Sequence, residues 1–246
     1  MAEGRWTKRL GKSALIFGIA APVVALVGVT LARYDFIGKL PGFSAILAGA
    51  LISIVAMLAA TIVLVLIIKN GGSKKAALTG LLVSLVYIGF LGSRAAAGGD
   101  APAIHDITTD LVNPPQFSSL SLRSDNLAGV DTIENWRTIH SKGYRDLDSV
   151  IIAKPVPQII ADAERIATDL GWEIAAADPV NGRLEATASV SYIRFKDDVV
   201  LRVVATEDGA ASIVDMRSVS RIGVSDLGVN AKRIRSFLDR LANDFN

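Results

Sequence analysis

The pattern of apolar and polar positions divides the chain near residue 100. Before that point lie three unbroken apolar runs, Ser13 to Ala32, Phe43 to Ile68 and Ala76 to Ser93. Each approaches or exceeds the ~20 residues that a helix needs to cross hydrocarbon about 30 Å thick. After it, residues 100–147 follow neither a two-residue nor a 3.6-residue period and read as an extended, loop-rich lead. One short helix is expected there, near Asp131 to Ile139, where Asp131 and Glu134 have capping-box spacing. Ser149 to Ala153 is a short apolar strand candidate. Ile159, Ala163, Ile166, Ala167 and Leu170 then share one helical face, predicting a helix from about 157 to 170 that starts at Pro155 and Pro157 and stops at Gly171. Trp172 to Ala177 reads as a strand and Asp178 to Gly182 as a hairpin turn. Leu184, Ala186, Ala188, Val190 and Tyr192 alternate with Arg183, Glu185, Thr187, Ser189 and Ser191. That period of two predicts a strand whose polar set faces solvent or a ligand. Val199 to Thr206 and Ser212 to Val219 are two more strands around Glu207-Asp208-Gly209. A last helix opens near Asp226 or Leu227, with Leu227, Ala231, Ile234, Leu238, Leu241 and Phe245 facing inward.

The order strand, helix, four strands, helix predicts an α+β soluble domain, an antiparallel sheet with two helices packed on one face. It follows a three-helix transmembrane anchor. The expected boundaries are 1–98 for the anchor, 99–147 for the lead and 148–246 for the domain, with Gly98 to Pro102 as a hinge out of the membrane.

Charge assigns sides. The first run follows Arg5, Lys8, Arg9 and Lys12, as in a signal peptide, but its core is longer than that of such peptides, no small-x-small cleavage site follows, and two more runs come after it. It reads as an anchor. The N-terminal tail and the second loop (Lys69, Lys74, Lys75) carry seven basic residues, against three on the other side (Arg33, Lys39, Arg94). Basic loops stay in the cytoplasm, so the N-terminus is expected inside and residues 100–246 outside. In a bacterium this means an inner-membrane protein with a periplasmic domain. Residues 1–99 carry a net charge of +8 and residues 100–246 a net −6. The acidic domain offers no general attraction to phosphate backbones, and no nucleic-acid partner is expected. The runs contain no Asp, Glu, His, Lys or Arg, the groups that ion-coupled transport requires at depth. Ala45, Gly49 and Ser53, like Gly80 and Ser84, recur at four-residue spacing. They serve close helix packing within the chain or docking onto a partner membrane protein. The chain has no cysteine, which removes disulfides and thiolate chemistry.

Two constellations carry the candidate chemistry. Arg217, Ser218 and Arg221 lead through Ser225 and Asp226 into the last helix, with Asn230 and Arg233 following, and could hold a phosphate or carboxylate. In the plainer reading Asp226 or Ser225 caps that helix, and Arg217 or Arg221 pairs with Asp215 or Asp226. Lys232, Arg233 and Arg235 sit early in the helix, against its dipole, which points to an acidic partner. The second constellation is His105, Asp106 and Asp110, joined by His140 and Asp146. It suits general-base or zinc chemistry but matches no metal-ligand spacing, and a structural role in tying down a loop is the competing reading. No cofactor is expected.

The stretches Tyr192-Ile193-Arg194-Phe195-Lys196-Asp197-Asp198-Val199 and Asp215-Met216-Arg217-Ser218-Val219-Ser220-Arg221-Ile222-Gly223-Val224-Ser225-Asp226-Leu227-Gly228-Val229-Asn230 resemble domain-of-unknown-function family 1499, found in bacteria and plastids. Ile104 to Asp110 with Pro114-Pro115 looks like the form of that family carrying membrane helices in front. The similarity spans roughly residues 102 to 243. Many short members carry Cys-Pro and Pro-Asn-Cys segments near the domain start, and this cysteine-free chain departs from them. The resemblance implies no activity. The sequence therefore points to a membrane-anchored binding or assembly-factor protein, with a lipid bilayer and a membrane-complex or anionic partner. The alternative is a periplasmic hydrolase or metal enzyme using His105, Asp106 and Asp110.

Overall fold

The computed structural model describes residues 3–99 and 101–243, and the chain forms two compact units, the first comprising the residues up to Gly99 together with Tyr192–Arg194 and the second the remainder. The first contains α1 (Glu3–Arg33), α2 (Lys39–Asn70) and α3 (Lys75–Ala97), three helices long and apolar enough to cross a membrane. They approach closely where small residues meet. A Cβ on Gly80 would lie 2.5 Å from the Ala14 carbonyl oxygen, and one on Gly49 would lie 2.7 Å from that of Ala21. Ser53 and Ser84 are fully buried, and the Tyr87 hydroxyl donates to the Ile46 carbonyl at 2.9 Å. The small-residue faces are thus used for packing within the chain, which suits helices that have no hydrophobic drive to associate in lipid.

The second unit is an antiparallel sheet in the order β1-β6-β5-β4-β3. Its strands are β1 (Asp106–Thr108), β2 (Val150–Ile152), β3 (Glu173–Asp178), β4 (Arg183–Val190), β5 (Phe195–Ala205) and β6 (Ser212–Ser220). β1 and β2 share one edge of β6, opposite 217–219 and 212–214 respectively. Helices α5 (Val156–Asp169) and α6 (Val229–Asn243) pack on one face, as the hydrophobic order predicts. Ile159, Ala163 and Ile166 of α5 and Ile234, Phe237 and Leu241 of α6 meet Leu184, Leu201, Val214 and Met216 of the sheet in one core. Trp172 stacks on Phe237 with ring centroids 5.1 Å apart.

Several local expectations are corrected. The short helix is α4 (Ile133–Gly143), capped by the Thr132 hydroxyl, which accepts from the Asn135 N–H at 3.1 Å. Asp131 sits at φ +64°, outside the extended geometry an N-cap residue adopts. α6 begins at Val229 rather than at 226 or 227, because Leu227 (φ +54°) and Gly228 (φ +80°) are both left-handed. Leu227 is therefore exposed instead of inward, and Leu170, beyond the end of α5, is also exposed. Phe245 lies outside the described residues. The polar set of β4 faces solvent only at its end: Ser189 and Ser191 are exposed, whereas Glu185 and Thr187 are buried, since part of the lead crosses that face.

Candidate functional site

Neighbouring residues of a strand point to opposite faces, so the charged residues of β5 and β6 separate into two networks. On the face away from the helices, Arg217 donates from Nε and Nη2 to the Asp106 carboxylate at 2.9 and 2.6 Å, and from Nη1 to the Pro115 carbonyl at 3.2 Å. Arg202 binds Asp110 and Asp215 at 2.8 Å each and the Asn113 carbonyl at 2.9 Å. The Glu185 carboxylate accepts from the Ser118 N–H and O–H at 2.7 Å, the Ser119 N–H at 2.9 Å and the Leu120 N–H at 2.8 Å. Burial pushes the Glu185 carboxyl up, but the donors from Leu120, Ser118 and Ser119 outweigh it and hold it below its ordinary range. Asp110 is lowered in the same way: its own burial acts upward, and the Asn113 amide and Arg202 overcome it. These bonds tie residues 109–120 across the sheet as a strap.

On the helix face, Arg233 of α6 donates to Asp197 at 2.7 Å, to the Ser218 hydroxyl at 2.8 Å and to the Asn230 side-chain oxygen. Asn230 donates to the His105 carbonyl and the Ser220 hydroxyl, both at 2.9 Å, and accepts from Ser218 at 2.7 Å. Arg235 pairs with Asp146 at 2.7 and 2.8 Å. Of the basic residues at the start of α6, Arg233 and Arg235 thus find acidic partners inside the domain. The Asp226 carboxylate accepts from the Gly228 and Asn230 N–H groups at 2.9 and 2.6 Å and so caps the helix.

The predicted ligand set is therefore divided. Ser218, Asn230 and Arg233 are bonded to one another on the helix face, Arg217 is engaged on the other, and the Ser225 hydroxyl accepts from the Leu227 N–H at 3.3 Å. Arg221 is the exposed member of the set, its side chain 47% accessible. It donates from Nε and Nη2 to Asp198 at 2.9 and 2.8 Å, and from Nη2 to the Thr187 hydroxyl at 3.0 Å; its Nη1 makes no hydrogen bond among the described residues. Arg221 lines a cavity of about 250 Å³ together with Ser121, Leu122, Arg123, Asp198, Val219 and Ser220. Arg123 is held by Asp125 at 2.7 Å and by the Gly223 carbonyl at 2.6 Å.

His105, Asp106 and Asp110 are likewise engaged separately. Asp106 also accepts from the Asn126 side chain at 2.5 Å. His105 is buried, and burial, followed by the Arg123 charge, holds its pKa down. His140 lies in a row of rings along α4 and the residue that follows it, with centroids 5.6 Å from Trp136 and 5.5 Å from Tyr144. Among the described residues no three of His, Cys, Asp or Glu gather as a metal site. Sequence reasoning missed Glu185, Asp198, Arg202 and the cavity residues Ser121 and Arg123. The adjacent acids Asp197 and Asp198 were a usable signal, because a strand must send them to opposite faces, each in need of a cation.

The sequence matches the family described as protein of unknown function (DUF1499) over residues 106–241. No curated protein and no solved structure matches it. The matched stretch runs from β1 into α6 and takes in both charge networks and the cavity beside Arg221. With that stretch covering more than half of its length, the chain belongs to the DUF1499 family of proteins of unknown function.

Proposed function

We propose that this protein is a membrane-anchored binding protein, or an assembly factor of a membrane complex, in the bacterial inner membrane. Its N-terminus lies in the cytoplasm and its α+β domain in the periplasm, and the domain takes an anionic ligand at Arg221. Three apolar helices and the excess of basic residues in the N-terminal tail and second loop support the anchor and its sidedness. The observation that carries the binding reading is the half-exposed Arg221 guanidinium on a cavity that also holds Arg123 and two serines. Its Nε and Nη2 are positioned by Asp198 and Thr187, so the Nη1 edge is pre-oriented for a phosphate or carboxylate oxygen. The hydrolytic alternative loses support because Asp106 and Asp110 each hold an arginine, which leaves neither carboxylate placed to take a proton from water.

Calorimetric titration of the full chain in neutral detergent with glycerol phosphate tests this reading. Arg221→Gln should weaken binding about tenfold, the ~1.4 kcal/mol expected for one charge-assisted hydrogen bond, while near-ultraviolet circular dichroism stays unchanged. Equal affinity in the variant would remove the Arg221 site.

A further inference from the structure

The loop joining β6 to α6 carries two exposed aliphatic side chains, Val224 (51%) and Leu227 (62%). Leu227 stands at φ +54°, a left-handed conformation that glycine or asparagine adopts readily and a leucine adopts at a cost. An aliphatic group that is wet and sits on a strained backbone does nothing for the domain's own core. The loop is also not slack. Arg123 holds the Gly223 carbonyl at 2.6 Å, the Asp226 N–H donates to the Ile104 carbonyl at 3.2 Å, and the Asp226 carboxylate receives the Gly228 and Asn230 amides. Val224 and Leu227 are held outward. Strain kept at a fixed surface loop points to use rather than accident.

The sequence indicates what covers them. Ile104, to which the loop is bonded, follows Ala97, the last residue of α3, by seven positions. Seven residues reach at most about 25 Å when fully extended, so the residue that holds this loop can be carried no farther than that from the end of α3. At its start stands Arg221 with its cavity. Two aliphatic side chains three and six residues after an arginine, on one loop, match the layering of a bilayer interface, acyl boundary beside phosphate. We infer that Val224 and Leu227 insert into the headgroup–acyl boundary of the membrane carrying the protein's own helices, and that the anion taken by Arg221 is the phosphate of a net-anionic lipid. This rests on the anion-binding reading above and names the source of the anion.

The cysteine-free sequence makes the test direct. Leu227→Cys and, as reference, Ile151→Cys each accept one bimane label; Ile151 is 69% exposed on the edge strand β2. The full-length proteins are reconstituted in phosphatidylcholine vesicles with and without phosphatidylglycerol. Expected is a blue-shifted label at 227, quenched several-fold more by doxyl lipids than the label at 151. Phosphatidylglycerol should deepen the quenching, and Arg221→Gln should abolish that difference. A label at 227 as wet as that at 151 overturns lipid docking, yet leaves the anion site standing if glycerol phosphate still binds through Arg221. A blue shift that grows with chains per vesicle, without doxyl quenching, identifies a second copy and overturns it too. Arg221-dependent binding of glycerol phosphate with no response to phosphatidylglycerol overturns the lipid source. Extraction of the chain from vesicles by alkali would defeat the membrane anchor itself.

Discussion

Nε2 of His140 accepts the Thr108 N–H at 3.1 Å, which leaves the ring proton on Nδ1, buried without a partner. Charging this ring would set N–H against N–H in a low-dielectric site, and burial accordingly pulls its pKa down from 6.5 to about 4. Between those two values the unfolded chain binds the proton that the native domain refuses. The stabilisation is therefore complete above pH ~6.5 and falls as the pH drops towards 4, by on the order of 3 kcal/mol. Urea unfolding of the full chain in detergent, followed by the circular dichroism of its β-sheet domain, should show this loss. His140→Gln keeps an acceptor for Thr108 and should flatten the slope over that window; an unaltered slope would place its origin elsewhere. Glu185 and Asp110 titrate lower, since their folded pKa values lie below the ordinary carboxylate range. At this scale the sequence was least legible. Arg217 has Asp215 two residues away, yet pairs with Asp106, 111 positions earlier, because the register of β1 on β6 sets Thr108 opposite Arg217 and leaves Asp106 as its diagonal neighbour on the same face. A three-residue strand has too few positions to show a period. Nothing local marks its partner.

Among the elements, the long ones were readable and the strap was not. α5, α6, β4, β5 and β6 follow periodicities carried by large aliphatic residues. The strap instead gains its place from bonds between backbone and charged side chains, which leave no periodic trace. Glu185 is its strongest tie, one carboxylate receiving three consecutive backbone N–H groups and a hydroxyl. Charge-assisted bonds of this kind contribute about 1.5–3 kcal/mol each, but they share one acceptor. Glu185→Gln keeps the shape, removes the charge and turns one oxygen into a donor facing N–H groups. We expect amide exchange at Ser118, Ser119 and Leu120 to accelerate at least tenfold, while exchange in β5 changes little. Equal acceleration in β5 would mean that Glu185 supports the whole sheet rather than the strap. The sheet face beneath was expected to meet solvent or a ligand; at Glu185 it meets the chain's own strap, at Ser189 it is exposed, and open space remains at the Arg221 end.

For the whole molecule, the division into an apolar helical part and a polar sheet domain was the clearest feature of the sequence, since it rests on composition over tens of residues rather than on any contact. The consequence still open to measurement is sidedness. Four basic residues in the N-terminal tail and three in the second loop oppose three on the other side, and each helix is otherwise apolar enough to insert either way. Topology then follows the charge difference alone. Alkaline phosphatase, which folds only in an oxidising compartment, should be active when fused after Asn246, and a cytoplasmic reporter at the same position should be silent. Replacing Lys69, Lys74 and Lys75 by glutamine reduces the balance to four against three. Phosphatase activity per fusion molecule should then fall markedly as a mixed population appears. A silent phosphatase on the unaltered chain would put the α+β domain in the cytoplasm. Activity undiminished by the lysine replacements would show instead that the first helix and its four basic residues orient the chain without help from the second loop.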